Sequence, residues 1–117
     1  MSYIREKIND SYLEDEDASQ DFTSDPINIT FPIRCLSFQG FGEGNVSGTI
    51  SVEVSIIPDR FITLTSCEPM KLNFSKSTDF FFIIPDQANY AGAIRLKFEA
   101  LPGSTGSINC HSRIMPL

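Results

Sequence analysis

The chain has 117 residues, fifteen acidic and nine basic, for a formal charge of −6. The whole imbalance sits in residues 1–25, which hold eight acids and two bases, while residues 26–117 carry seven of each. A neutral body behind an acidic leader offers no basic face to a phosphate backbone, which argues against nucleic-acid binding, and the longest apolar run, Phe80–Pro85, is six residues against the ~18 of a membrane-spanning helix.

This length predicts one domain. The start, Met-Ser-Tyr-Ile-Arg-Glu, lacks the basic region, apolar stretch and cleavage site of a signal peptide, so no export address is expected. Residues 1–25 read as an acidic leader, disordered or loosely docked. The run Glu14-Asp15-Glu16-Asp17 repels itself and favours an open chain. Ile4, Ile8 and Tyr12 have helical spacing, so a docked helix or strand is the alternative.

From Pro26 the pattern changes to a period of two. Ile27, Ile29, Phe31, Ile33 and Cys35 alternate with other residues. Pro32 interrupts this run and predicts an edge or a bulge there. Gly40 to Asn45 reads as a glycine-rich hairpin connection. Ile50, Val52, Val54 and Ile56 alternate next, followed by Ile62 and Leu64, then Met70, Leu72 and Phe74. Phe80–Ile84 is apolar at every position. It reads as a central strand covered on both faces, or as a strand whose second face the leader covers. Ile94, Leu96 and Phe98 alternate with Arg95, Lys97 and Glu99, and Ile108, Cys110, Ser112 and Ile114 close the series. Such alternation sets one face on a core and the other in water. Pro58-Asp59, Glu68-Pro69, Pro85-Asp86 and Pro102-Gly103 supply turns. No segment after residue 25 has a 3.6-residue period. The prediction is an all-β antiparallel sandwich of six or seven strands over residues 26–117.

Candidate chemistry is sparse. His111 is the one histidine, and its neighbour Cys110 would point to the opposite face of a strand, so the two do not form a nucleophile–base pair. A polar surface histidine is the expectation. Cys35, Cys67 and Cys110 lack paired metal-ligand spacing, so no metal is expected. The leader's carboxylates sit on a segment too loose to preorganise acid–base chemistry. The glycine stretch lacks the lysine and helix of a phosphate loop. In a reducing compartment all three cysteines would be small core residues. In an exported protein Cys35 with Cys67 is the plausible disulfide, contributing ~2–4 kcal/mol. Asn9, Asn28, Asn45 and Asn73 each open an Asn-x-Ser/Thr triplet, a pattern that β-turn composition also produces.

A family resemblance covers residues 27–100. Its parts are Pro32-Ile33-Arg34-Cys35-Leu36-Ser37-Phe38, the strand Ile50–Ser55, and Leu64-Thr65-Ser66-Cys67 with its flanks. They end with Phe80–Pro85 and the Gly92-containing strand through Phe98. This order resembles the N-terminal domain of the fimbrillin-like pilus and surface-adhesin proteins of the Bacteroidales. The resemblance implies a transthyretin-like sandwich, export to the cell surface or outer membrane, and assembly of like subunits by strand donation. Against that pattern the chain reads as a partial member, with residues 1–25 standing where earlier strands would be.

The expected function is thus a non-enzymatic structural or adhesive subunit that assembles through β-strands. It needs no cofactor, and its partners are proteins rather than nucleic acid or a small-molecule substrate. The alternative is a small cytoplasmic β-domain that binds a protein partner through its acidic leader.

Overall fold

The computed structural model describes residues 9–30, 32–84 and 92–116. Ten strand segments and no helix occur among them. They are β1 (Asn9–Asp17), β2 (Phe22–Thr23), β3 (Ile27–Asn28), β4 (Ile33–Glu43), β5 (Ser47–Ser55), β6 (Ile62–Thr63), β7 (Met70–Asn73), β8 (Phe80–Ile84), β9 (Ala93–Ala100) and β10 (Ser107–Pro116).

Every pairing is antiparallel. The first sheet runs β1-β10-β4-β8. In the second, β9 and β5 lie at the centre. β2 and β3 share the outer side of β9, and β6 and β7 share the outer side of β5. The two sheets form an antiparallel β-sandwich with four positions in each layer. Ten segments replace the six or seven expected over residues 26–117, because β1 and β2 lie in the leader and the run beginning at Ile27 divides at Pro32 into β3 and β4.

The core follows the period of two. Leu36, Phe38, Phe80, Phe82, Ile84, Ile108 and Cys110 point inward from the first sheet. Ile50, Val52, Leu72, Ile94, Leu96 and Phe98 meet them from the second. Each fully buried Leu, Ile or Phe contributes about 1.5–3 kcal/mol of transfer free energy.

The leader is part of this sandwich from Asn9 onward. β1 pairs with β10 from Asn9↔Arg113 to Asp17↔Ser107, and Leu13 and Ala18 are buried in the core. The acids Glu14, Asp15, Glu16 and Asp17 are all exposed along this strand. The docked-strand alternative therefore describes residues 9–25. Their apolar members are few, yet Leu13, Ala18, Tyr12 and Phe22 are spaced to reach the core while the acids face water. Ile4 and Ile8 lie outside the described residues.

Pro32 marks a change of sheet. β3, before it, pairs with β9 in the second sheet, and β4, after it, pairs with β10 and β8 in the first. Proline has no N–H for a ladder, so the run beginning at Ile27 breaks there. Ser24 fills a similar gap between β2 and β3. Its hydroxyl accepts the Leu96 N–H at 2.8 Å, and its own N–H donates to Leu96 O at 2.9 Å.

Gly40 and Gly42 belong to β4, so the expected glycine hairpin shrinks to a turn at Gly44-Asn45. Gly40 is opposite Phe80, and a methyl there would land in the Phe80 ring and against the Asn109 carbonyl. The glycine is required by close packing within the strand.

β8 is an edge strand of the first sheet, paired with β4 alone. Phe80, Phe82 and Ile84 are buried, whereas Phe81 and Ile83 are 50% and 54% exposed. The expected cover on both faces is absent among the described residues. Continuous apolarity here reflects an apolar outer face at the edge.

Candidate functional site

The sandwich has two dissimilar outer faces. On the second sheet the outward side chains of β5 and β9 are polar, Ser51, Glu53 and Ser55 among them. Glu53 and Arg95 are cross-strand neighbours, joined by an Nε–Oε1 contact of 2.8 Å. The Arg95 guanidinium lies 3.8 Å from the centre of the Phe61 ring. Their side chains are 8% and 24% exposed, so the pair is drawn well out of water.

The first sheet presents an apolar–polar mosaic. Strand alternation sends Ser37, Gln39 and Phe41 of β4, Phe81 and Ile83 of β8, and His111 and Arg113 of β10 to its outer face. Register aligns them in rows across the strands. His111, Gln39 and Phe81 form one row, Arg113, Ser37 and Ile83 the next, and Asn109 neighbours Phe41.

Two concavities lie on this face. One of about 870 Å³ is lined by Gln39, Gly40, Phe41, Met70, Asp79, Phe80, Phe81 and His111. One of about 310 Å³ is lined by Ser37, Gln39, Phe81, His111, Ser112 and Arg113. They share Gln39, Phe81 and His111, and so form one continuous shallow groove.

The two lateral edges also differ. Beyond β1 the edge is acidic and distorted. Register shifts interrupt β1 between Ser11 and Leu13 and again between Leu13 and Glu16, and Asp15 has φ 50°. Charge and bulges of this kind discourage pairing with another chain. The β8 edge carries neither device. Gly42 N–H donates to Thr78 O at 3.1 Å. Alternation then makes Gly40/Phe80, Phe38/Phe82 and Leu36/Ile84 the hydrogen-bonded pairs. The N–H and C=O of Phe81 and Ile83 consequently point to the outside of the sheet. The Cys67 thiol, from the turn between β6 and β7, reaches Ile83 O at 3.6 Å.

The sequence-predicted site residues separate accordingly. His111 is exposed and Cys110 is buried on the opposite side of β10. All three cysteines are free thiols in the structure. Alternation sets Cys35 on the outer side of β4, whereas Cys67 belongs to the core. Burial pushes the Cys67 thiol up and the Cys110 thiol up to about 12. Among the described residues no group of three or more His, Cys, Asp and Glu is placed to hold a metal ion. Asn73 accepts the Ser75 N–H and hydroxyl at 3.0 and 2.8 Å and so shapes the turn after β7.

Sequence reasoning missed Gln39, Phe41, Phe81 and Arg113 as a group. The available signal was their parity: odd positions on β4, β8 and β10, opposite in phase to the core residues. Only the strand order, which pattern does not supply, joins them.

No protein-family model matches the chain, and no curated protein matches it in sequence. Solved structures do. The SPBc2 prophage-derived protein YomS superposes with a TM-score of 0.63 at 11% identity, over 91% of each chain. A CBM4 structure superposes with a TM-score of 0.41 at 17% identity, over 87% of this chain and 64% of that one. The YomS likeness is one of fold.

Proposed function

We propose that this protein is a non-enzymatic structural or adhesive subunit whose copies join by strand pairing at the β8 edge. The observation that carries the reading is the contrast between the edges. β1 is acidic and bulged, and two such edges would repel each other. β8 is uncharged, turns backbone groups outward at Phe81 and Ile83, and exposes both side chains. A second β8 laid antiparallel, with Phe82 opposite its counterpart, would match Phe81 with Ile83 in both directions. Docking would require the Cys67 thiol to leave Ile83 O, a weak sulfur contact exchanged for an amide hydrogen bond. The resemblance to fimbrillin-like proteins supports the same mode of assembly and, with it, a place at the cell surface.

Sedimentation over a range of concentrations tests this reading. The wild type should associate reversibly, and Ile83→Lys should remain monomeric with an unchanged circular dichroism spectrum. Hydrogen exchange at the Phe81 amide should slow on association. A protein that stays monomeric up to its solubility limit, with that amide exchanging freely, overturns the proposal.

A second reading is favoured by the exposed acids Glu14, Asp15, Glu16 and Asp17 on β1. That surface suits a basic protein partner, bound by steering that salt screens. Reversing Glu14 and Glu16 to lysine should then abolish capture of that partner without disturbing self-association. Capture that survives both reversals removes this reading.

A further inference from the structure

The groove on the first sheet combines three chemistries, of which the assembly reading uses only the first. Phe81, half exposed, offers an apolar ring face at its centre. Gln39 and Ser37 line it with an amide and a hydroxyl, each able to donate and accept. Arg113 and His111 stand two residues apart on β10 and line its narrower end. Among the described residues Arg113 forms no ion pair; the salt bridge found there joins Arg95 to Glu53. The register neighbours of Arg113, Ser37 and Asn9, carry no charge that would neutralise it.

We infer that this groove is a binding site for a carboxylate-bearing sugar, such as a uronic acid unit of an oligosaccharide. The guanidinium presents a planar fork that matches a carboxylate in two parallel hydrogen bonds. The C–H face of a pyranose ring would lie on Phe81, where the ring's negative face attracts its weakly positive hydrogens. Ring hydroxyls would meet Gln39, Ser37 and His111, and a following sugar unit would extend toward Phe41 with a hydroxyl, not its carboxylate, turned to Asp79.

Each part selects against a simpler ligand. Free phosphate satisfies the fork and leaves the aromatic face wet. A neutral sugar satisfies the ring and leaves Arg113 unpaired. A peptide carboxylate could use the fork, yet its apolar side chain calls for an enclosed pocket, whereas this groove is shallow and suited to a flat ring. Strand pairing at β8 would use backbone groups at the edge. The groove shares Phe81 with that edge, whereas Gln39, His111 and Arg113 lie on the inner strands of the sheet and belong to the groove alone.

The test is a nuclear magnetic resonance titration of isotope-labelled full-length protein with galacturonic acid oligomers, matched neutral galactose oligomers, inorganic phosphate and a short acidic peptide. The acidic oligosaccharide should shift amides at Ser37, Gln39, Phe81, His111 and Arg113, while the β1 acids stay silent. Arg113→Gln should weaken it about tenfold or more, and Phe81→Ser should weaken it while the rest of the spectrum keeps its dispersion. The neutral oligomer should bind far more weakly. Equal shifts from phosphate or from the peptide would make this a general anion surface and overturn the proposal. So would full affinity in Arg113→Gln, or silence toward the acidic oligosaccharide. Arg113→Gln leaves β8 untouched, so its loss of binding is read independently of the sedimentation behaviour that tests assembly.

Discussion

Asp15 occupies a left-handed backbone conformation with φ 50°, next to the bulge that interrupts β1. Its N–H donates to Asn109 Oδ1 at 3.0 Å, which ties the bulge to β10. Asp15→Val places a β-branched side chain in that conformation and should cost about 1–2 kcal/mol, read as a lower urea midpoint. Asp15→Gly should be neutral or slightly stabilising in the same assay. Acids withdrawn from water set the response to alkali, the raised Cys67 thiol among them. Burial pushes both the Cys110 thiol and, opposed in part by the Ser24 hydrogen bond, the Tyr12 hydroxyl up to about 12. Both groups hold their protons more tightly in the folded chain than in the unfolded one. Stability is therefore full below pH ~9 and falls above it, first through Cys110 and from pH ~10 through Tyr12 as well, until each ionises near 12 in the folded chain. The slope should approach ~1.4 kcal/mol per pH unit for each group. Urea unfolding between pH 8 and 11 checks this, and Cys110→Ala should flatten the curve between pH 9 and 10. The polar cross-strand pair behaves differently. Arg95→Met would strand the Glu53 carboxylate, 8% exposed, and should cost about 2–4 kcal/mol. The double substitution Glu53→Leu with Arg95→Leu should cost much less, and a thermodynamic cycle measures the difference.

At the scale of the element, strand composition and strand position proved to be separate matters. The inward positions of β5, β9 and β10 were legible because each alternates over six or seven residues, although Ile56, which continues the β5 pattern, falls beyond the strand and is exposed. β8 was not legible. Five consecutive apolar residues read as a strand covered on both faces, and pattern alone cannot separate that from an edge strand with an apolar outer side. The outer-face groove inherited the same ambiguity, since Phe81 reads as covered, Phe41 as part of a glycine connection, and Gln39 and Arg113 carry no pattern of their own. The glycines of β4 were misread for a related reason. A glycine cluster signals a turn unless a ring from the facing strand needs the space, and that need arises only once Phe80 sits opposite Gly40. Gly40→Ala should therefore behave as a packing lesion. Because a methyl there meets both the Phe80 ring and the Asn109 carbonyl, the loss should reach about 1–3 kcal/mol. Thermal unfolding should show it, and the paired change Gly40→Ala with Phe80→Leu should recover part of the loss.

At both sides of the whole molecule the chain itself crosses from one sheet to the other, and this decides what the acidic leader is. On one side β1 ends in the first sheet and the chain passes through the buried Ala18 to β2 in the second. Ala18 N–H donates to Gly106 O at 3.0 Å, and the Tyr12 hydroxyl bonds Ser24 Oγ at 2.6 Å and the Asp25 carbonyl. These contacts join the two edge strands across the core. On the other side the chain returns from β7 to β8, where Thr78 Oγ1 donates to Gly42 O at 2.8 Å. If residues 1–25 were only an arm, their deletion would leave a folded body. The geometry demands the opposite. Deletion exposes the β10 edge, removes Leu13 and Ala18 from the core, and uncovers Phe38, on which the Tyr12 ring packs at 5.4 Å between centroids. Burial of Leu13 alone is worth about 1.5–3 kcal/mol, a large share of the ~5–15 kcal/mol that holds a domain of this kind folded. The 26–117 fragment should be unfolded or aggregated at 25 °C, with loss of amide dispersion. A chain lacking residues 1–8 keeps every contact named here and should remain folded. Comparing the two truncations by urea unfolding separates a structural strand from a detachable arm. A folded 26–117 fragment of unchanged stability would return the acids of β1 to the role of a mobile leader.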